Sequence, residues 1–295
     1  MSTISNAPTI LKDFLSYHET VKAHSAKTVD EYFLDLRTFF RYLKRSRGLV
    51  SPDTLWDSIS IADVDLELVG SVSLSEIYDY LIFLSRERQL STASLARKIA
   101  AIRSFYRYLT SKAHLLEENP VQELDSPRMK KTLPRYLTLE ESLALLDAVQ
   151  GKNKERDYCI LMLFLNCGLR ISELVNLNVS DIQGDTIRVL GKGNKERILY
   201  LNDGCKAALE SYLTVRAMLS LQHEPALFVS NRRTRITRAG VHKMVKKYLL
   251  TAGLDASKYS AHKLRHTAAT LMLQNGVDVR TLQEVLGHDH LNTTQ

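Results

Sequence analysis

At 295 residues the chain exceeds the usual size of one hydrophobic core, so two domains are expected. It is 44% hydrophobic and 25% charged, an ordinary composition for a soluble globular protein, and its formal net charge of +7 points to a polyanionic partner such as nucleic acid. No run approaches the roughly 18 apolar residues of a membrane span, and the start MSTISNAPT lacks the basic and apolar regions of an export signal, which predicts a cytoplasmic protein without membrane association.

The first 112 residues read as a helical domain. From Ala26 to Arg47, Val29, Tyr32, Phe33, Leu36, Phe40 and Leu43 recur at helical spacing, while Arg37, Arg41 and Lys44 gather on another face. From Ser91 to Lys112 the design repeats, with Leu95, Ile99, Ile102, Tyr106 and Leu109 as the apolar stripe and Arg97, Lys98, Arg103 and Arg107 outside it. Ser91 and Thr92 suit the cap, and Leu74 to Arg88 makes a third, apolar helix. A basic face on one helix is commonly just a solvated surface. Two in one basic domain make Arg37, Arg41, Arg97, Lys98, Arg103 and Arg107 candidate DNA contacts.

Periodicity lapses between Leu115 and Pro134, where three prolines and alternating charge predict a linker over residues 113–135. A second domain, residues 136–295, opens at Thr138-Leu-Glu-Glu141, which has the capping-box form. Thr186 to Leu190 and Arg197 to Leu201 are β-prone runs flanking Gly191-Lys-Gly-Asn194, which predicts a hairpin. Helical stretches are expected near Arg156 to Leu165, Cys205 to Leu219, Arg238 to Thr251, Ala261 to Gln274 and Val279 to Leu286. Cys159, Cys167 and Cys205 are scattered without CxxC spacing, which fits buried free thiols better than disulfides or a thiolate zinc site.

Four segments of this domain carry candidate chemistry. In Cys167-Gly-Leu-Arg-Ile-Ser-Glu-Leu174, Gly168 can close one helix and leave Arg170 at the mouth of the next, where its planar fork suits a phosphate. By itself Arg170 reads first as a surface or salt-bridging residue, with Glu173 at i+3 as partner. Gly191-Lys-Gly-Asn-Lys-Glu-Arg197 is no nucleotide P-loop, because the GxxxxGK[ST] spacing is missing; Lys192 can reach a minor groove or a leaving oxygen, or simply keep a hairpin tip soluble. In His262-Lys-Leu-Arg-His266, His262 and Arg265 share a helix face and can address one phosphate. His262 and His266 also have metal-pair spacing, but Lys263 replaces the glutamate of HExxH, so no metal is expected; for His266 a buried, hydrogen-bonded histidine is the plainer reading. The fourth segment is Leu286-Gly-His288.

The order GLRxSEL, GKGxKxR, HxLRH, LGHxxLxTTQ over Gly168 to Gln295 closely resembles the catalytic domain of the tyrosine recombinase (phage integrase) family, especially its Xer branch. The helical domain and proline-bearing linker resemble the family's core-binding region, although Ser51 to Ser73 is longer than in compact members. The resemblance implies a mainly α fold with a small β-sheet. It consists of an N-terminal helical, SAM-like core-binding domain and a C-terminal α+β catalytic domain, together a C-shaped clamp on DNA.

It also implies site-specific recombination by cleavage and rejoining of DNA, for chromosome dimer resolution in chromosome partition and cell division or for integration and excision of a mobile element. Four subunits, of this chain or of it with a related recombinase, would work on two double-stranded DNA sites without a cofactor. By resemblance Arg170 and Arg265 hold the phosphate oxygens, Lys192 is general acid for the departing 5′-oxygen, His262 assists proton transfer from the nucleophile, and His288 bonds the phosphate. A non-catalytic architectural DNA-binding protein and a type IB topoisomerase are the competing readings. The family's nucleophilic tyrosine follows the LGH histidine by nine positions, two places beyond Gln295, and no tyrosine follows His288. The expectation is therefore a chain cut just before its nucleophile. Unless a tyrosine arrives from another subunit, as the family resemblance allows, it should bind DNA yet form no SDS-stable covalent adduct on a nicked suicide substrate; such an adduct from the purified chain would contradict it.

Overall fold

The computed structural model describes residues 6–127, 135–191, 195–219, 221 and 224–287, which divide into two compact units, Met1–Lys131 and Thr132–Gln295. Each unit has its own apolar core.

The first unit is built from α1 (Thr9–Ser16, continued by a π-helical turn over Tyr17–Val21), α2 (Ala26–Ser46), α3 (Leu66–Gly70), α4 (Leu74–Arg86) and α5 (Thr92–Ser111). Caps fix where the helices begin: Ser25 accepts the Thr28 N–H, Ser91 accepts the Ser94 N–H, and Ser73 forms a reciprocal capping box with Glu76. Phe14, Phe40 and Phe105 join α1, α2 and α5 through edge-to-face contacts, with Phe105 5.4 Å from Phe14 and 5.6 Å from Phe40.

The basic residues of this unit do not form the two open positive faces that periodicity predicts. The stretch after α2 folds back over that helix. Arg41 is buried, donating from Nε to the Ile59 carbonyl at 3.1 Å and from Nη1 to Asp57 at 3.0 Å. Lys44 is buried too, 2.6 Å from Asp63. Between α2 and α5, the buried Asp35 accepts from Lys98 at 2.9 Å and Arg97 at 2.5 Å, and Lys98 is buried with it. Arg37 lies over the Phe33 ring, 5.4 Å from its centroid, and Arg103 donates to Ser126. Arg107 is exposed. The physical reason is that Asp35, Asp57 and Asp63 arrive from other parts of the chain and neutralise cations that the helical wheel places outside. The predicted linker is likewise packed at its start, because Val121 and Leu124 are buried in this unit's core.

In the second unit α6 (Leu139–Asp147) starts at the Thr138–Glu141 capping box, and α7 (Lys154–Cys167) is buried on nearly all sides, from Cys159 through Leu165. Next come α8 (Ile171–Asn176) and an antiparallel sheet of β1 (Ile182–Gln183), β2 (Thr186–Leu190) and β3 (Glu196–Tyr200), in that order. The β2–β3 register pairs Thr186 with Tyr200 and Leu190 with Glu196, so Ile187, Val189 and Leu199 enter the core. Helices α9 (Asp203–Ala217), α10 (Arg238–Thr251), α11 (Ala261–Gln274) and α12 (Val279–Leu286) complete the unit, and α7 packs against α6, α9 and α11. The three cysteines are free and buried. No helix among the described residues is long and apolar enough to cross a membrane.

Replacing Asp35 by Ala strands the buried Lys98 charge; a stability loss of about 3 kcal/mol is expected, read from urea unfolding. His18 makes the first unit pH-sensitive. Burial first, then the charges of His24 and Lys22, push its imidazole down to about 4, while in the unfolded chain it protonates near its ordinary value of about 6.5. The folded state thus binds fewer protons, so stability present above about pH 6.5 is lost as pH falls towards about 4. His18→Gln should flatten the fall of the thermal midpoint over that window, and an unchanged pH profile would refute the assignment.

Candidate active site

The site is organised on the short turn between α7 and α8. Gly168 ends α7 in the left-handed conformation, at φ +58°, and a Cβ there would lie 2.5 Å from Leu286 Cδ2, so both backbone and space demand glycine. Two residues later Arg170 is the N-cap of α8, in extended conformation. Glu173 reaches back from the first turn of that helix: its Oε2 accepts the Arg170 backbone N–H at 2.8 Å and its Oε1 accepts Arg170 Nη1 at 2.7 Å.

The same carboxylate holds two further arginines. Arg197 of β3 donates Nη1 to Oε1 at 3.0 Å and Nη2 to Oε2 at 2.9 Å, and Arg265 of α11 has its Nη1 3.8 Å from Oε2. Burial raises the Glu173 pKa, but the hydrogen bonds and charges of Arg197 and Arg170 outweigh it and bring the group below its ordinary value. Glu173 is thus an anion within a surplus of cations. Burial first and the neighbouring Arg170 second pull Arg265 down to about 10, which leaves it charged at neutral pH.

The three guanidinium groups also satisfy the last carbonyls of α12, which have no partner inside their own helix. Arg197 Nε donates to Val285 at 2.9 Å, Arg265 Nη2 to Leu286 at 2.5 Å, and Arg170 Nη2 to Gly287 at 3.2 Å. Arg265 Nη1 in addition donates to the Gly168 carbonyl at 2.6 Å. The ends of α7 and α12 are therefore tied to one ionic cluster. Cations beside a helix C-terminus are also favoured by its dipole.

Of the residues predicted from sequence, Arg170, His262 and Arg265 come together here. Arg265 is buried, whereas the Arg170 side chain is 34% exposed. Arg170 uses two of its N–H groups on Glu173 and Gly287, so the rest of its five donors have no protein partner among the described residues. His262, on α11, is exposed and close enough to Arg265, Lys263 and Arg170 for their charges to act on it. Its Nε2 is 3.2 Å from Nε2 of His266. Lys192 and His288 lie outside the described residues.

Sequence reasoning took Glu173 only as a salt-bridge partner and gave Arg197 no role. The signal for Arg197 was available: it shares a strand face with the buried Leu199, and a cation at an inward strand position needs an anion. Chemically, the arrangement offers a fixed group of cations with partly open donors, suited to a phosphate and to charge developing on it.

Residues 135–295 match the phage integrase family, and residues 11–113 match the phage integrase N-terminal SAM-like domain. A protein named tyrosine recombinase XerC from Caldanaerobacter subterraneus subsp. tengcongensis is 53% identical over 289 residues, spanning 98% of this chain and 82% of that one. Among solved structures, XerA recombinase is 31% identical with a TM-score of 0.52, covering 97% of this chain and 91% of that one. The XerH site-specific recombinase bound to difH substrate, a pre-cleavage complex, has the same fold at 24% identity and a TM-score of 0.67, covering 90% and 75% of the two chains.

Glu173→Gln keeps the side chain's shape but leaves buried guanidinium groups without an anion. An unfolding free energy lower by about 3 kcal/mol is expected, with a lower urea midpoint as the readout.

Proposed function

The chain belongs to the phage integrase family of tyrosine recombinases, and from that premise we propose how its residues divide the work of site-specific recombination. It is an Xer-like site-specific recombinase, and its partners are double-stranded DNA and further recombinase subunits. Each strand exchange is a pair of transesterifications. A tyrosine oxygen attacks the scissile phosphorus, the bond to the 5′-oxygen breaks, and a 3′-phosphotyrosyl link forms beside a free 5′-hydroxyl; the reverse step rejoins the strand. The bond energy stays in the link, so neither ATP nor a metal is called for.

In this reading residues 1–112 grip the duplex and residues 136–295 supply the groups that hold the phosphate and move protons, in the cytoplasm. Arg170 and Arg265 hold the non-bridging oxygens and meet the charge that grows in the transition state. Arg265 is fixed by the carbonyls of Gly168 and Leu286, so little reorganisation accompanies the reaction. Lys192 protonates the departing 5′-oxygen. His262 attends the phosphate and the proton of the attacking hydroxyl, and His288 bonds the phosphate. Arg37, Arg103 and Arg107 remain candidate backbone contacts, while burial gives Arg41 and Lys98 to the structure of the first unit.

The observation that carries the assignment is Arg170: a guanidinium held on one edge by Glu173 and Gly287, with its remaining donors unpaired among the described residues. Arg170→Ala should weaken binding to a footprinted duplex site by about tenfold and lower the salt-dependence slope by about one, measured by fluorescence anisotropy. Replacing the scissile phosphate with a neutral methylphosphonate should weaken the unsubstituted protein more than the variant, which has already lost one of the groups that hold that charge. Equal losses in both proteins would refute the contact.

A further inference from the structure

Arg197 of β3 has no part in the reaction outlined above, yet all three of its guanidinium nitrogens are engaged in the site. Nη1 and Nη2 donate to the two oxygens of Glu173 at 3.0 and 2.9 Å, and Nε donates to the Val285 carbonyl of α12 at 2.9 Å. Gly287 lies against the same group. A Cβ added there would stand 3.2 Å from Arg197 Nη1 and 3.4 Å from Cζ, and the backbone has φ +63°, so glycine allows the close approach.

Arg170 is held at two points, Glu173 Oε1 at 2.7 Å and the Gly287 carbonyl at 3.2 Å. Arg197 sets both of them. Two parallel bonds fix the plane of the Glu173 carboxylate, which leaves Oε1 shared between Nη1 of Arg197 and Nη1 of Arg170. The bond to Val285 and the packing on Gly287 fix the chain that presents the second carbonyl. Charge alone does not call for this arrangement. A lysine would neutralise Glu173 as well, but a point-charge ammonium lacks the planar fork that bonds both oxygens in parallel and a third acceptor besides.

We propose that Arg197 is a positioning residue for Arg170: by pinning Glu173 and the end of α12, it sets the direction of the guanidinium edge that Arg170 leaves open. Resting on the reading of Arg170 as a phosphate contact, Arg197 acts on the bound phosphate through Arg170 rather than by a contact of its own.

NMR of the chain labelled with 15N-arginine reads the positioning without DNA. In a held guanidinium, rotation about Nε–Cζ is slow and the two Nη groups give separate signals; in a loose one they merge. With signals assigned by their loss in Arg170→Ala, Arg170 should show separate Nη signals in the unsubstituted chain and merged ones in folded Arg197→Lys. Merged signals in the unsubstituted chain, or separate ones in Arg197→Lys, would overturn the proposal. Should Arg197→Lys fail to fold, Arg197→Gln, which can donate to one oxygen only, takes its place with the same expectation.

Duplex binding forms a second arm. Arg197→Lys should weaken it roughly fivefold in the unsubstituted background and leave it unchanged in an Arg170→Ala background, because residues that act through one another are not additive. Losses that multiply would overturn the coupling. Undiminished binding by Arg170→Ala itself would refute the phosphate-contact reading, and the arginine signals would still decide the positioning.

Discussion

The buried carboxylate of Glu173 is the charge on which the second unit's site depends. Bringing several guanidinium groups into a protein interior is costly unless an anion and well-placed acceptors meet them. Glu173 supplies the anion, and the C-terminal carbonyls of α12 supply many of the acceptors. Remove the carboxylate and the half-buried Arg197 and the buried Arg265 lose their anion. The phosphate-facing group, Arg170, would lose the contact that holds one of its edges.

The same solution appears in the first unit with different geometry. Asp35 serves Arg97 and Lys98 between α2 and α5, as Glu173 serves the arginines of the second unit. Arg41 and Lys44 find their acceptors in the stretch between α2 and α3, which folds back over α2. Net charge is a property of the whole chain, but which cations remain for a polyanion depends on how many the fold has already matched. Arg107 is exposed; Arg41 and Lys98 are not. An overall positive charge thus says that a polyanion is welcome without saying where.

How far the sequence could be read differs from element to element. The helices of both units follow from apolar periodicity and from caps whose partners lie three residues away, at Ser25, Ser91 and Thr138, and these are local rules. The β2–β3 hairpin is local as well, displaced by one residue in its second strand. Gly168 as a helix terminator was legible, because few residues tolerate its backbone conformation. The role of Arg197 was not, because its partners Glu173 and Val285 are 24 and 88 residues away along the chain.

By itself, then, the sequence determined the two-part helical plan, the small hairpin, and the order of motifs that places the chain among tyrosine recombinases. Short-range physics and residue order are written in the chain. Only the tertiary structure decided that Glu173 is shared by several arginines, that α12 ends on their donors, and that much of the basic surface expected on α2 and α5 is internal. Each of these depends on a charge meeting a partner from a distant segment, and the cost of leaving such a charge unmatched is paid only when the chain has folded.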